Sequence, residues 1–249
     1  MTSIKDLLGK PFLAPWQAKM AAELAVDSLD YIAEMARRDK QGAVDYIKGA
    51  ARRYSKIRQD VGSEAHDLFE RILRGEAVGA VSRDMAPYKR HFAEFLAAAQ
   101  PELVRAEDVA WSDTHEYAGS FDAILRILVD ERGELDSRGE PALVMADWKT
   151  GKSTYPEVAL QMAAYAHADK IISPDGSEAP MPEFDGAVVL HITDEKWALK
   201  PVRIDRPVFD YFLHLRALFE WDREHSKSVI GKSLAASGGR LVTGTERRR

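Results

Sequence analysis

The sequence predicts an α/β fold, with a mixed central sheet flanked by helices and an N-terminal helical region ahead of it. Three observations carry this. Apolar residues recur at helical spacing through the first hundred residues. Short segments rich in β-branched and aromatic residues follow, separated by polar turns. Helical spacing then returns twice, around one further pair of strand-like segments. That order leaves each helix a sheet face to cover.

In the first part, Met20, Leu24, Tyr31 and Met35 recur at three-to-four spacing and its multiples. Val44, Ile47, Ala51 and Tyr54 do the same, as do Met85, Tyr88, Phe92 and Phe95. Gly42 and Gly62 read as punctuation between helices. Ser63 reads as the N-cap of a helix to about Arg74. On that helix His66, Phe69 and Leu73 share a face, which points His66 inward. Segments 103–111, 117–129 and 142–150 read as an antiparallel meander across the turns 112–116 and 130–141. Segment 157–172 reads as helix, 187–193 and 197–204 as strands, and 207–225 as an amphipathic helix. The expected organisation is a helical region 1–61, a core 62–226 and a flexible basic tail 227–249.

Composition narrows the function. The chain has 249 residues, 45% apolar and 30% charged, which suits a folded domain with a sizeable core. No apolar run approaches the roughly 18 residues of a membrane span, and no apolar block follows the first charges. A cytoplasmic protein without membrane partners is the expectation. The absence of cysteine excludes disulfides, cysteine-held zinc, an iron–sulfur cluster and a thiol nucleophile. Net charge is −5, yet the 37–58 stretch holds eight Lys/Arg against Asp39 and Asp45. Such a run is either a solvated helix face or a phosphate-binding flank to an acidic site.

The chemistry concentrates in the second and third strand-like segments. In a strand, residues i and i+2 face one side, so Asp147 and Lys149 project together and Trp148 projects oppositely. Asp122 stands among apolar neighbours and can lie opposite Asp147. Two carboxylates inside an apolar sheet repel each other and lose hydration, so they need a cation or a proton. Carboxylate oxygens suit Mg²⁺ or Mn²⁺, and a lysine one pleat away adds a positive charge for a bound anion. Metal, acids and lysine together make an apparatus for phosphodiester cleavage. The plain alternative is an exposed Asp147–Lys149 ion pair, worth at most about 1 kcal/mol.

Gly119-x-x-Asp122, Asp147-Trp148-Lys149-Thr150-Gly151 and Gln161-x-x-x-Tyr165, preceded by His66 in Gly62-Ser63-Glu64-Ala65-His66, resemble the PD-(D/E)XK nuclease superfamily. They are most similar to its RecB-like exonucleases, a branch that includes phage recombination nucleases and the CRISPR-associated adaptation nucleases. The resemblance spans about residues 62–170. It implies a restriction-endonuclease-like core acting on DNA with Mg²⁺ or Mn²⁺, more in the manner of an exonuclease. Asp122, Asp147, His66 and the backbone carbonyl of Trp148 would be metal ligands. Lys149 would position the attacking water or stabilise the phosphate. Gln161 and Tyr165 would lie beside the site, and Glu107 would be either a further acidic ligand or an exposed strand glutamate. Arg52, Arg53, Lys56 and Arg58 would line the DNA path. The resemblance also admits an oligomer and a recombination or single-strand-annealing protein partner. The adaptation nucleases carry four cysteines for a cluster that this chain lacks, which places it nearer the phage-type enzymes.

Other motifs fail on inspection. Gly151-Lys152-Ser153 looks like the end of a P-loop, but Ala146 stands where glycine is required and Asp147 would repel phosphate. His115-Glu116 lacks the second histidine of a zinc-protease helix. The alternatives to a nuclease are a catalytically silent DNA-binding or assembly protein of the same fold, and a hydrolase of some other phosphodiester.

Overall fold

The structure, a computed structural model, describes residue 4 and residues 7–233. Four helices open it: α1 (Leu13–Asp27), α2 (Leu29–Arg38), α3 (Lys40–Lys48) and α4 (Ala50–Leu73), followed by α5 (Ala86–Ala99). Strands β1 (Glu102–Ala106), β2 (Val109–Ser112), β3 (Tyr117–Ser120), β4 (Ala123–Val129) and β5 (Glu140–Lys149) come next. Helix α6 (Glu157–Ala166) leads to β6 (Lys170–Ile172), β7 (Glu178–Pro180), β8 (Gly186–Ile192) and β9 (Trp197–Val202). Helix α7 (Arg206–Glu220) runs into a π-helical turn, Trp221–His225.

The central sheet has the order β1-β4-β5-β8-β9. All its pairs are antiparallel except β5–β8, which the α6 excursion makes parallel. Period-two alternation gives each strand two faces. Ile124, Met145 and Val189 meet α6 and α7, while Leu125, Ala146, Trp148 and Leu190 meet α4 and α5. Trp148 is fully buried there, with the rings of Phe69, Phe92 and Phe95 at 6.5, 5.9 and 6.4 Å. Each such aromatic contributes about 1.5–3 kcal/mol by burial, and the edge-on contacts add to it. This packing fixes β5 against two helices and so fixes where Asp147 and Lys149 emerge on the other face.

Several expectations are corrected. Gly62 and Ser63 do not begin a helix: α4 runs unbroken from Ala50 to Leu73, across the boundary expected at 61/62. Gly42 lies in the first turn of α3, which Asp39 caps through the Gly42 N–H at 2.9 Å. The 103–111 and 117–129 segments each break into two strands, and the halves belong to different sheets. The second sheet, β3-β2-β6-β7, was not foreseen. Its β6 takes the last residues of the segment read as helix to 172. The tail beyond residue 233 lies outside the described residues, and 227–233 forms neither helix nor strand.

Candidate metal centre and its surroundings

The site forms where the two long segments change sheets. At Glu107–Asp108 the chain leaves β1 for β2, and at Phe121–Asp122 it leaves β3 for β4. The bends clasp each other: Glu107 N–H donates to Asp122 O at 3.2 Å, and Phe121 N–H donates to Asp108 O at 3.1 Å. Glu107 takes a left-handed backbone, φ 57°, an uncommon conformation for a side-chain-bearing residue. Its side chain lines a cleft with His66 and Asp122. Asp108, by contrast, is buried and bound by Arg105 at 3.0 Å.

Glu107 and Asp122 meet His66, which projects from the middle of α4. One ligand atom from each of the three lies within 4.8 Å of the other two, and all three residues are half-buried. The cleft above them is lined by Gln59, Gly62, Ser63, Asp67 and Glu70 of α4. His66 Nδ1 is 3.4 Å from Asp122 Oδ1. The other Asp122 oxygen, Oδ2, accepts the backbone N–H of Trp148 at 2.6 Å. Asp122 is thus held by β5 and turned toward the imidazole. One nitrogen ligand and two carboxylates form a donor set suited to a hard divalent cation.

The electrostatics agree with that reading. Burial, with the charges of Asp122 and Glu70, pushes the Glu107 carboxyl up to about 7. Burial pulls His66 down, but the hydrogen bond and charge of Asp122 leave it raised overall. Asp147 is 4% exposed. Burial and the neighbouring Asp122 raise its carboxyl, against the pull of Lys149. Burial and like charge both disfavour the ionised form of Glu107 and Asp147, and a positive charge nearby would offset this.

The expected residues divide into two groups. Asp147 stands outside the three-residue cluster, and its Oδ2 has no donor beyond the Lys149 ammonium. The Trp148 carbonyl is also engaged by Lys149, at 3.3 Å. Glu107, which the sequence left open, joins His66 and Asp122. Gln161 Nε2 donates to the Tyr165 hydroxyl at 2.7 Å, and burial raises that phenol. Tyr165 packs on Phe121 in the core face beneath the bend.

The four basic residues of α4 also divide. Because α4 is one helix, residues at three-to-four spacing from His66 form a single stripe: Ser63, Gln59, Lys56 and Arg52. Arg53 and Arg58 lie off it. Arg53 caps the Tyr46 carbonyl at 2.7 Å and covers the Tyr46 ring, and Arg58 meets Tyr54. Lys56 also pairs with Asp60 at 2.6 Å.

Two positioning residues went unread in the sequence. His191 pairs with Lys149 in the β5–β8 register. Its Nε2 donates to the Gly151 carbonyl at 2.7 Å and so holds the chain as it leaves the candidate lysine. Lys200 reaches both His191 Nδ1, at 3.4 Å, and Thr154, at 3.0 Å. The available signal was a lone polar residue, His191, between Leu190 and Ile192 of an otherwise apolar segment.

No helix among the described residues is long and apolar enough to cross a membrane. Comparison with family models and with curated proteins gives no match.

Proposed function

We propose that this protein is a divalent-metal-dependent deoxyribonuclease acting from DNA ends. The observation that carries the reading is the meeting of His66, Glu107 and Asp122 from three separate segments, beside a half-buried Asp147–Lys149 pair on the adjoining strand. Mg²⁺ or Mn²⁺ held by those three residues would supply positive charge to phosphate oxygens and acidify water at the site. The rest falls to the chain's own residues. Asp122 is oriented by the Trp148 N–H and cannot swing away without losing that bond. Lys149 is held by Asp147 and by the Trp148 carbonyl, so its ammonium is poised to stabilise charge developing on a phosphate. The Lys149 ammonium and the nearby imidazole offset part of what burial and Asp122 do to the Asp147 carboxyl. His191 holds the Gly151 turn and so limits how far Lys149 can wander. The Arg52–Lys56 end of the α4 stripe offers a path for the sugar–phosphate backbone toward His66.

The test is a digest of end-labelled linear, circular and single-stranded DNA with Mg²⁺ or Mn²⁺ and a chelator control. Loss of linear but not circular substrate, abolished by the chelator, supports the proposal. No cleavage of any DNA by the folded wild-type protein contradicts it.

A further inference from the structure

The loop after Lys149 takes part in a second arrangement, which the nuclease reading does not use. Thr150 lies against α4, since a Cβ added at Gly62 would stand 3.2 Å from its Oγ1. From there the loop runs on to Lys152 and Tyr155. The Tyr155 ring stacks on Phe12, with centroids 5.9 Å apart and planes within 5°. Trp16, one turn along from Phe12, meets Tyr54 of α4 edge-on at 6.0 Å. Arg58 donates to the Tyr54 hydroxyl at 3.4 Å and lies 5.6 Å from the ring centroid. That bond, with the approach of Lys152, lowers the Tyr54 phenol against a smaller effect of burial.

Four rings and two cations therefore run together from the exit of the candidate site. Trp16 and Tyr54 are half-buried where α1 packs on α4, but core packing does not account for the other two rings. Phe12 is 51% exposed and Tyr155 46% exposed, and neither joins the two hydrophobic clusters. Single exposed aromatics are ordinary, but a contiguous set interleaved with Arg and Lys is the composition that binds unpaired nucleobases. Rings so exposed would offer their outer π-faces to any base, and the cations would neutralise the phosphates between them. A duplex, whose bases are already stacked inward, cannot use such rings.

We infer that Phe12, Tyr54 and Tyr155, with Arg58 and Lys152, form a stacking platform that binds single-stranded DNA as it enters or leaves the site at Lys149. This deepens the nuclease reading and rests on it for the choice of DNA. Its own content is the strand preference and where that preference resides.

The experiment measures binding by the full chain in chelator, so that cleavage plays no part. Fluorescence anisotropy follows labelled dT15 and a 15-base-pair duplex, with wild type, Tyr155→Leu, Tyr155→Phe and Lys152→Ala. Leucine keeps apolar bulk without a π-face, and phenylalanine keeps the ring. The expected result is tighter binding of dT15 than of duplex. Tyr155→Leu should weaken dT15 binding roughly 5- to 150-fold, the range for losing one stacked base. It should leave the duplex unchanged, and Tyr155→Phe should bind as wild type. Lys152→Ala should reduce the salt slope for dT15 by about 0.7. Circular dichroism checks that each variant is folded. Equal dT15 affinity for the Leu and Phe variants, or equal losses for dT15 and duplex, would overturn the platform. So would tighter binding of a matched rU15 than of dT15, with respect to DNA as occupant. Failure of metal-dependent digestion, with dT15 binding intact, would instead refute the nuclease reading alone.

Discussion

Asp122 accepts the backbone N–H of Trp148 at 2.6 Å, from the residue that lies between Asp147 and Lys149. This bond joins the bend that carries one acid to the strand that carries the other. Trp148 is itself locked by four-ring packing on the far face of the sheet. Core packing on one side thus sets the position of a charged group on the other.

The same bond separates two variants. Asp122→Asn keeps an oxygen for Trp148 and should fold as wild type, while losing at least about 10²-fold in cleavage, the scale for removing an electrostatic partner. Asp122→Ala leaves a buried N–H without an acceptor and should cost a further 1–3 kcal/mol or so of stability. Urea denaturation and initial cleavage rates distinguish them.

Lys149→Ala should abolish cleavage by a comparable factor and also destabilise the fold. Asp147 is then left in the sheet without its counter-charge. Breaking a fully buried pair costs about 3–5 kcal/mol, and the 31% exposure of the Lys149 side chain reduces this to about 1–3 kcal/mol. The double variant Lys149→Ala/Asp147→Asn should recover much of that loss without recovering activity. A double-mutant cycle in urea measures the coupling.

Glu107 predicts a pH dependence in chelator. Its folded value, about 7, lies above the ordinary 4.5, so the folded state binds this proton more tightly than the unfolded state. No penalty exists below pH 4.5, where both states are protonated. The penalty grows between 4.5 and 7 and is complete above 7. Glu107→Gln should therefore be more stable than wild type at pH 8, by about 1 kcal/mol once solvent screening of the half-exposed group is allowed for. That is a Tm gain of about 2–4 °C, absent at pH 4.5. Added Mn²⁺ should stabilise wild type and narrow the difference. Thermal scans at the two pH values check both statements.

Gly62 sits inside a helix, where Ala is favoured by about 1 kcal/mol. The close approach of Thr150 offsets that gain, since a methyl there meets Oγ1 at 3.2 Å. Gly62→Ala should be neutral within about 0.5 kcal/mol. Gly62→Leu should push β5's exit from α4 and reduce cleavage more than tenfold without unfolding the chain. Parallel melting curves and rates test this.

The alternation of β5 was legible: Trp148 faces the core, and Asp147 and Lys149 share the opposite side. The approach of His66 to Asp122, at 3.4 Å, was implied by the family resemblance alone, since the spacing of His66 on its helix said only that it points inward. The doubling of the sheet was not legible. The residues that switch ladders, Glu107–Asp108 and Phe121–Asp122, contain no glycine or proline. Their bend is imposed by backbone bonds between the two segments, which no local propensity reports. The role of Glu107 depends on that bend and was therefore left open. Gly62 misled for the converse reason: glycine there serves close helix–strand approach rather than helix termination.

Calorimetric titration of Mn²⁺ into wild type and Asp122→Asn tests the central claim most directly, because it asks whether the three converging side chains hold a cation. The account predicts a saturable site in wild type and at least a tenfold loss of affinity in the variant, with both proteins equally folded. Equal binding by the two proteins, or none by wild type, would contradict it.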